Sequence, residues 1–420
     1  MVRDPFVVAC LLALLALGCG TRPGAMPDAT SRTMALVGGR VQAAPDAAVI
    51  PDGVVILRDG VIAAVGSRSD VPVPQGAEVI DCAGATVTAG FWNSHVHFTQ
   101  SIWRGAETAP AARLSEGLRA MLTSYGVVRV LDTGSDLRNT QALRRRIESG
   151  ELPGPLIMMA GGGFVSAGGS PYYILPARLP ELTSPSETIS LVAAVADAGA
   201  EGVKLFTGSW ATRSSIVVMP LELVKAAVDA AHARGKFVVA HPSNSAGARV
   251  AIEGGVDILA HTFPSEIDRR PWDRALPKMM HERGMALIAT LKLWPYELQK
   301  VAVPPAVVAV VLGNGQAQLR AFADLGGPVL FGTDVGYMTD YDPTDEYVYM
   351  HAAGLSYASI LASLTTAPAE RFGAAANSGR LARRMTADVV VLDGDPAQDI
   401  RALASVRYTL RGGRIIYRKT

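Results

Sequence analysis

Six residues of this chain carry side chains of types that bind metal ions or move protons, and each lies in or at the end of an apolar run. His95 and His97 stand one residue apart in GFWNSHVH (90–97), and Lys204 lies in GVKLF (202–206). His241 ends FVVAH (237–241), His261 ends DILAH (257–261) and Asp334 ends PVLFGTD (328–334). Imidazole and carboxylate are ligands that Zn²⁺ and similar divalent ions accept. At a strand period of two, His95 and His97 leave the same face. Taken singly, each has an ordinary reading: a satisfied turn histidine, a lysine paired with a helix, an aspartate capping the helix that follows. Their shared placement is harder to assign to separate structural duties. Four of the seven histidines occupy these places, whereas His232, His281 and His351 sit where surface or packing roles suffice.

Positions this far apart share a site only in a fold that returns repeatedly to one face. Besides the runs that hold the six residues, strand-like segments occur at 127–132 (VVRVLD), 155–160 (PLIMMA) and 285–290 (MALIAT). Ala-rich helical stretches at 186–199, 220–235 and 313–326 alternate with them. Eight strand runs separated by helices predict an α/β fold, a (β/α)₈ TIM-type barrel. Such a barrel gathers its active site at the C-terminal ends of its strands. Short apolar runs at 54–60, 61–66 and 78–84, and again at 387–396 and 406–417, read as strands joined by tight turns. They predict a small β-rich domain formed from both chain ends. The expected division is a composite β domain over 34–86 and 387–420, around a barrel over 87–386.

The sequence is 49% hydrophobic and 18% charged, enough apolar material for a large core and unlike a disordered or collagenous chain. Thirty-nine Lys and Arg against 38 Asp and Glu leave a net charge of +1, so nucleic acid is not an expected partner. Neither a GxGxxG fingerprint nor a GxxxxGK[ST] loop occurs, which removes direct support for a nucleotide site. Three cysteines, Cys10, Cys19 and Cys82, are too few for a disulfide-stapled fold or a Cys-based zinc centre. Two of them lie in the opening MVRDPFVVACLLALLALGCG, where Arg3 precedes an apolar run at 6–17. That run is shorter than a membrane span of about 20 residues and reads as a secretion signal. LALGC at 15–19 resembles a bacterial lipobox. It implies a signal peptide over 1–18, a lipidated Cys19 with a flexible tether over 19–33, and the periplasmic face of the outer membrane. A soluble periplasmic or secreted protein is the alternative.

GFWNSHVH, GVKLF, VVAH, ILAH and LFGTD together resemble the amidohydrolase superfamily, in detail its imidazolonepropionase-like and lysine-bridged Xaa-Pro or Xaa-Arg dipeptidase group. The resemblance covers about residues 34–418, including ADVVVLDGDPAQDI (387–400), and Glu346 fits the helices after strand eight. Carried over residue by residue, it implies that His95 and His97 bind one metal ion. Asp334 contacts the same ion and shuttles the proton. His241 and His261 bind a second ion, and Lys204, as N6-carboxylysine, bridges the two. Two divalent ions, zinc first, are thus the expected cofactors. The alternative is one Zn or Fe ion at His95, His97, His241 and Asp334 with Lys204 unmodified.

The implied activity is hydrolysis of an amide bond in a dipeptide, N-acyl amino acid or related small amide. A mononuclear cyclic-amide (imidazolone or lactam) hydrolase and a lactone or ester hydrolase are the alternatives, as is an inactive lipoprotein that binds envelope components. HPSN at 241–244 lacks the glutamate of the deaminase pattern HAxE and disfavours that branch. Two departures bear on the site. Asn93 stands where the family's strand-one exit carries an acidic residue, which predicts looser orientation of an imidazole. The loop at 160–173, AGGGFVSAGGSPYY, has no histidine. Candidate substrate contacts are Tyr172, Tyr173 and Arg178 after strand three, Trp210 and Arg213 after strand four, and Lys292 and Trp294 after strand seven. Each also fits an ordinary loop residue. A homo-oligomer is compatible with the sequence.

Overall fold

A computed structural model of the chain describes residues 33–263, 266 and 270–420. The expected signal peptide, Cys19 and the tether up to residue 32 lie outside the described residues.

Eight parallel strands form the barrel: Phe91–Val96, Val127–Asp132, Leu156–Ser166, Gly202–Phe206, Phe237–His241, Ile258–Ala260, Ala286–Ile288 and Val329–Leu330. Each pairs with the next in that order. They are the eight runs expected from the sequence, buried on both faces as parallel strands are. Backbone bonds from Ser94 N to Phe331 O (2.7 Å) and from His97 N to Val335 O (2.8 Å) join the first strand and its exit to the segment that follows the eighth and shut the barrel.

Helices cover the outside with their apolar stripes. Leu221–His232 buries Leu223, Val224, Ala227, Val228 and Ala231, a spacing that keeps one face on the sheet. Pro185–Asp197 is started by Ser184, whose side chain accepts the Glu187 N–H, with Pro185 in the first turn. The helix expected at 313–326 is longer, Pro305–Ala323. Its first half is rich in valine, whose β-branching lowers helix propensity and hides the start from a reading by composition. The short hairpin Gly208–Thr212 and Ser215–Val218, after the fourth strand, is also absent from the sequence reading.

The second sheet draws Thr33–Gln42, Ile50–Arg58, Val61–Ser67, Glu78–Asp81 and Ala85–Ala89 from one end of the chain. Val389–Asp393, Val406–Arg411 and Arg414–Arg418 come from the other. The two sets meet where Ala85–Ala89 pairs antiparallel with Val389–Asp393, Val87 opposite Val391. Leu36, Val55, Ile62, Val87, Val389 and Val391 are in the shared core. No helix among the described residues is long and apolar enough to cross a membrane.

One ion pair ties sheet to barrel. Arg129, on the second barrel strand, lies 3.2 Å from Asp388, with side chains only 11% and 6% exposed. The same carboxylate accepts the Gly412 N–H at 2.9 Å. Removing one partner of a buried pair leaves the other charge uncompensated, so Asp388→Ala is expected to lower stability by about 3 kcal/mol in urea unfolding. A loss below about 0.5 kcal/mol, the range of exposed pairs, would show that the pair does not join the two sheets energetically.

Candidate metal centre

The strands deliver His95, His97, Lys204, His241, His261 and Asp334 to one end of the barrel. His261 and Asp334 stand just past their strands with φ of 73° and 62°, left-handed conformations that cost a non-glycine residue energy and gather at functional sites. Backbone bonds hold both there: His261 N to Ile288 O at 2.7 Å and Asp334 N to His95 O at 2.9 Å. Two residues on, Gly336 has φ 96°, and a Cβ there would sit 1.7 Å from the His97 carbonyl oxygen. Only glycine allows this approach.

The imidazoles cluster, with ring centroids 5.2 Å apart for His95–His97, 4.5 Å for His95–His261 and 4.7 Å for His241–His261. His95, His261 and Asp334 bring one ligand atom each within 4.8 Å of one another, and all three are buried. Asp334 Oδ1 lies 3.4 Å from His95 Nε2 and 2.9 Å from His97 Nε2. Yet both ring nitrogens of His95 and this oxygen lack a hydrogen bond of acceptable geometry. Buried polar atoms are almost always partnered. Orphaned atoms where two imidazoles meet a carboxylate fit a divalent cation of the zinc type.

Protonation states agree. Burial drives His95 and His241 down to about 3, with the Lys204 charge adding to the effect and Asp334 opposing it. His261 is held well below the usual range by burial and by His95 and His241. Neutral imidazole is the ligating form. Burial would raise the Asp334 carboxyl, but His95 and His97 beside it hold it well below the ordinary value, so it stays ionised. Burial lowers the Lys204 amine to about 8, against the pull of Asp334.

The structure corrects the cofactor expectation. Among the described residues one group of side chains converges on a metal position, His95, His261 and Asp334, which makes a single-ion site rather than two. Lys204 is not part of that group, so a carboxylated lysine bridging two ions is not what the barrel builds. The remaining two histidines are engaged at its edges. His97 Nε2 lies 3.4 Å from Thr133 Oγ1, and His241 Nε2 lies 3.0 Å from Ser243 Oγ.

Supporting contacts were only partly visible in the sequence. Asn93 does not loosen the first strand: its amide donates to Thr333 Oγ1 at 2.7 Å, and its oxygen accepts the His95 N–H at 3.2 Å. It thus pins His95 to the residue before Asp334. Asp132, at the end of the second strand, is buried and takes bonds from Ser135 Oγ (2.6 Å) and Thr140 Oγ1 (2.8 Å). Its position at a strand end was the signal that could have found it.

The proposed substrate contacts divide. Lys292 is buried and spent: its ammonium lies 2.8 Å from the Asp340 carboxylate and donates to the main-chain oxygens of Asp340 and Asp342. Trp294 gives its indole N–H to Thr262 Oγ1 at 3.0 Å. Arg178 and Arg213 are exposed, the latter 5.4 Å over the Tyr172 ring. Trp210 is half-buried on the hairpin after the fourth strand. Tyr173 meets Tyr337, a residue the sequence reading did not single out, at 5.7 Å edge to face. Since Tyr337 follows Asp334 closely, this contact joins the loops after the third and eighth strands.

Glu346 forms a second link at this end, accepting the N–H groups of Leu291 (3.0 Å) and Lys292 (2.7 Å). Burial raises its carboxyl from 4.5 to about 7, although those two bonds oppose the rise. The folded chain therefore holds an extra proton between these values. Its contribution to stability is complete below pH 4.5 and is lost as pH rises through about 7. Urea midpoints measured from pH 4.5 to 8 should fall, and Glu346→Gln should flatten that fall by about 3 kcal/mol. An unchanged profile in the variant would exclude Glu346 as its source.

Similarity to known proteins follows the same lines. The profile of the Amidohydrolase family matches residues 86–416. Imidazolonepropionase of Solibacter usitatus (strain Ellin6076) is 35% identical over 107 residues, 25% of this chain and 23% of that protein's length. Ochratoxinase of Aspergillus niger is 23% identical over 428 residues, 88% of this chain and 84% of that protein. A Xaa-Pro dipeptidase solved with methionine in its active site superposes with a TM-score of 0.78 at 23% identity, over 92% of this chain and 100% of the other.

Proposed function

Because the chain belongs to the amidohydrolase family, a family of metal-dependent hydrolases, we propose that it uses one divalent ion to open a small cyclic amide of the imidazolone or lactam type. The observation that carries this reading is the convergence of His95, His261 and Asp334, with ligand atoms within 4.8 Å of one another and orphaned nitrogens and oxygen among them. A divalent ion bound there would lower the pKa of water and polarise a carbonyl. Asp334 stays ionised in the pocket and would take the proton of the attacking water, then return it to the leaving nitrogen. His95 and His261 remain neutral and hold their lone pairs available. Lys204 adds a buried positive charge, felt by His95 and His241, that favours an oxyanion over a neutral carbonyl.

A cyclic amide suits the charges near the centre. Lys292 is committed to Asp340 and Asp342, while Arg178 and Arg213 are exposed, so none of the three offers a buried clamp for a free carboxylate. The likeness of a quarter of the chain to imidazolonepropionase supports the ring of such a substrate. The Tyr173–Tyr337 pair would present ring surface to the flat face of such a substrate. A linear dipeptide is the second reading, favoured by Arg213 stacked over Tyr172, where it could meet a carboxylate at the rim. An ester or lactone would use the same centre. We place the enzyme at the bacterial envelope on the strength of the apolar run 6–17 and Cys19.

Metal-loaded protein should bind about one ion per chain by elemental analysis and should hydrolyse lactams or imidazolones faster than dipeptides. His95→Ala should reduce turnover by more than the roughly 10–100-fold typical of losing an outer-shell partner. Two tightly held ions per chain, or turnover unchanged in His95→Ala, would sink the single-ion reading. Turnover confined to dipeptides would replace the cyclic substrate with the linear one. Cys19→Ser is expected to move the expressed protein from the membrane to the soluble fraction, and an unchanged distribution would remove lipidation from the account.

A further inference from the structure

Two hydroxyl groups stand behind the histidines of the fifth and sixth strands, and both are arranged in the same way. Thr290 Oγ1 lies 2.7 Å from His261 Nδ1 and also 2.9 Å from the carbonyl oxygen of Ala289, to which it donates. Ser243 Oγ lies 3.0 Å from His241 Nε2 and donates to the carbonyl oxygen of Gly208 at 2.9 Å. A hydroxyl has one proton and two lone pairs. With the proton spent on a carbonyl, the oxygen can only accept from the ring nitrogen that faces it.

We propose that Thr290 and Ser243 are positioning residues that set the tautomers of His261 and His241, putting the proton on Nδ1 of His261 and on Nε2 of His241. His261 then presents the Nε2 lone pair to the cluster with His95 and Asp334, and His241 presents Nδ1. Among the described residues the one hydrogen bond of each ring is the one to its hydroxyl, which leaves the His261 lone pair for the ion. The backbone supports a dedicated role. Thr290 and Ser243 have φ of 45° and 55°, left-handed conformations that a β-branched threonine in particular adopts at a cost. Both are buried, Thr290 fully and Ser243 at 6% exposure. Left-handed backbone at two buried hydroxyl residues, each facing an imidazole, is strain placed where orientation matters. A ligating histidine whose other nitrogen is held by a fixed partner has its ring plane and basicity set in advance.

For His261 the proposal rests on the metal reading above, and the test separates the two. In metal-free protein with ¹⁵N-labelled histidine, long-range ¹H–¹⁵N spectra report which ring nitrogen carries the proton. Wild type should show the proton on Nδ1 of His261 and Nε2 of His241, assigned through His261→Gln and His241→Gln. The reverse tautomer at either ring would overturn the assignment for that ring. Co²⁺ affinity, measured by competition with a chelator, should fall by about 10–100-fold in Thr290→Val and recover in Thr290→Ser. Valine keeps the β-branched shape, so equal melting temperatures separate lost orientation from lost folding. If Thr290→Val does not fold, Thr290→Ser and the wild-type spectra still decide. Affinity within twofold of wild type in folded Thr290→Val would overturn the role of Thr290. Wild-type protein that binds no Co²⁺ but shows the expected tautomers would sink the metal reading and leave the hydroxyl arrangement standing.

Discussion

Asp334 donates its backbone N–H to the carbonyl of His95 at 2.9 Å, while its carboxylate lies 3.4 Å from the imidazole of that same residue. The bonds that shut the barrel and the contacts that build the site thus run between the same residues. The eighth strand is only Val329–Leu330, so closure falls to the irregular segment that follows it. Ser94 meets Phe331 and His97 meets Val335 along this seam, with Asn93 bonded to Thr333 between them. The left-handed turn at Asp334 lets one residue bond to the first strand through its backbone and face the pocket through its side chain. Gly336 then packs where any side chain would strike the His97 carbonyl. Disturbing the seam would move His95, His97 and Asp334 together.

Burial does the remaining electrostatic work. Four imidazoles, one amine and one carboxylate share a small volume, and desolvation is the largest influence on five of the six groups. For the three histidines among them it favours the neutral form, which removes most of the repulsion that protonated rings would create. For Asp334 it works against charge, and the neighbouring histidines overcome it. The outcome is a pocket of available lone pairs around one anion. Away from the pocket, Glu346 and Lys292 brace the loops after the seventh and eighth strands through backbone groups.

The strands of the barrel were legible because a parallel strand covered on both faces is a continuous apolar run, and the polar residue that ends it stands out. His95, His241, His261 and Asp334 were visible for that reason. Which of them converge closely enough for an ion was not, because that depends on backbone turns of left-handed sign at His261 and Asp334, and spacing carries no trace of them. The resemblance supplied a two-ion pattern that the geometry does not reproduce. Lys292 looked like a substrate contact from its place after a strand. Nothing local to it reveals that residues 340–346 fold back to occupy its charge and its N–H. Asn93 shows the opposite case, a departure from the family pattern whose bonding to Thr333 compensates within the fold.

The sheet outside the barrel has a temporal consequence. Its strand Ala85–Ala89 lies between Thr33–Gln42 and Val389–Asp393, so the middle of that sheet has one neighbour made before it and another made only after the whole barrel. Thr86 Oγ1 bonds to the carbonyl of Gly394 across 308 positions of sequence. Until Val389–Asp393 emerges, Ala85–Ala89 has an open edge, a template for pairing with other chains. Contacts of such long range form slowly, because the intervening chain must first be organised. The barrel is what organises it, by returning the chain after its eighth strand to the side from which it set out. Assembly of the second sheet is therefore complete only when Ala85–Ala89 and Val389–Asp393 have met.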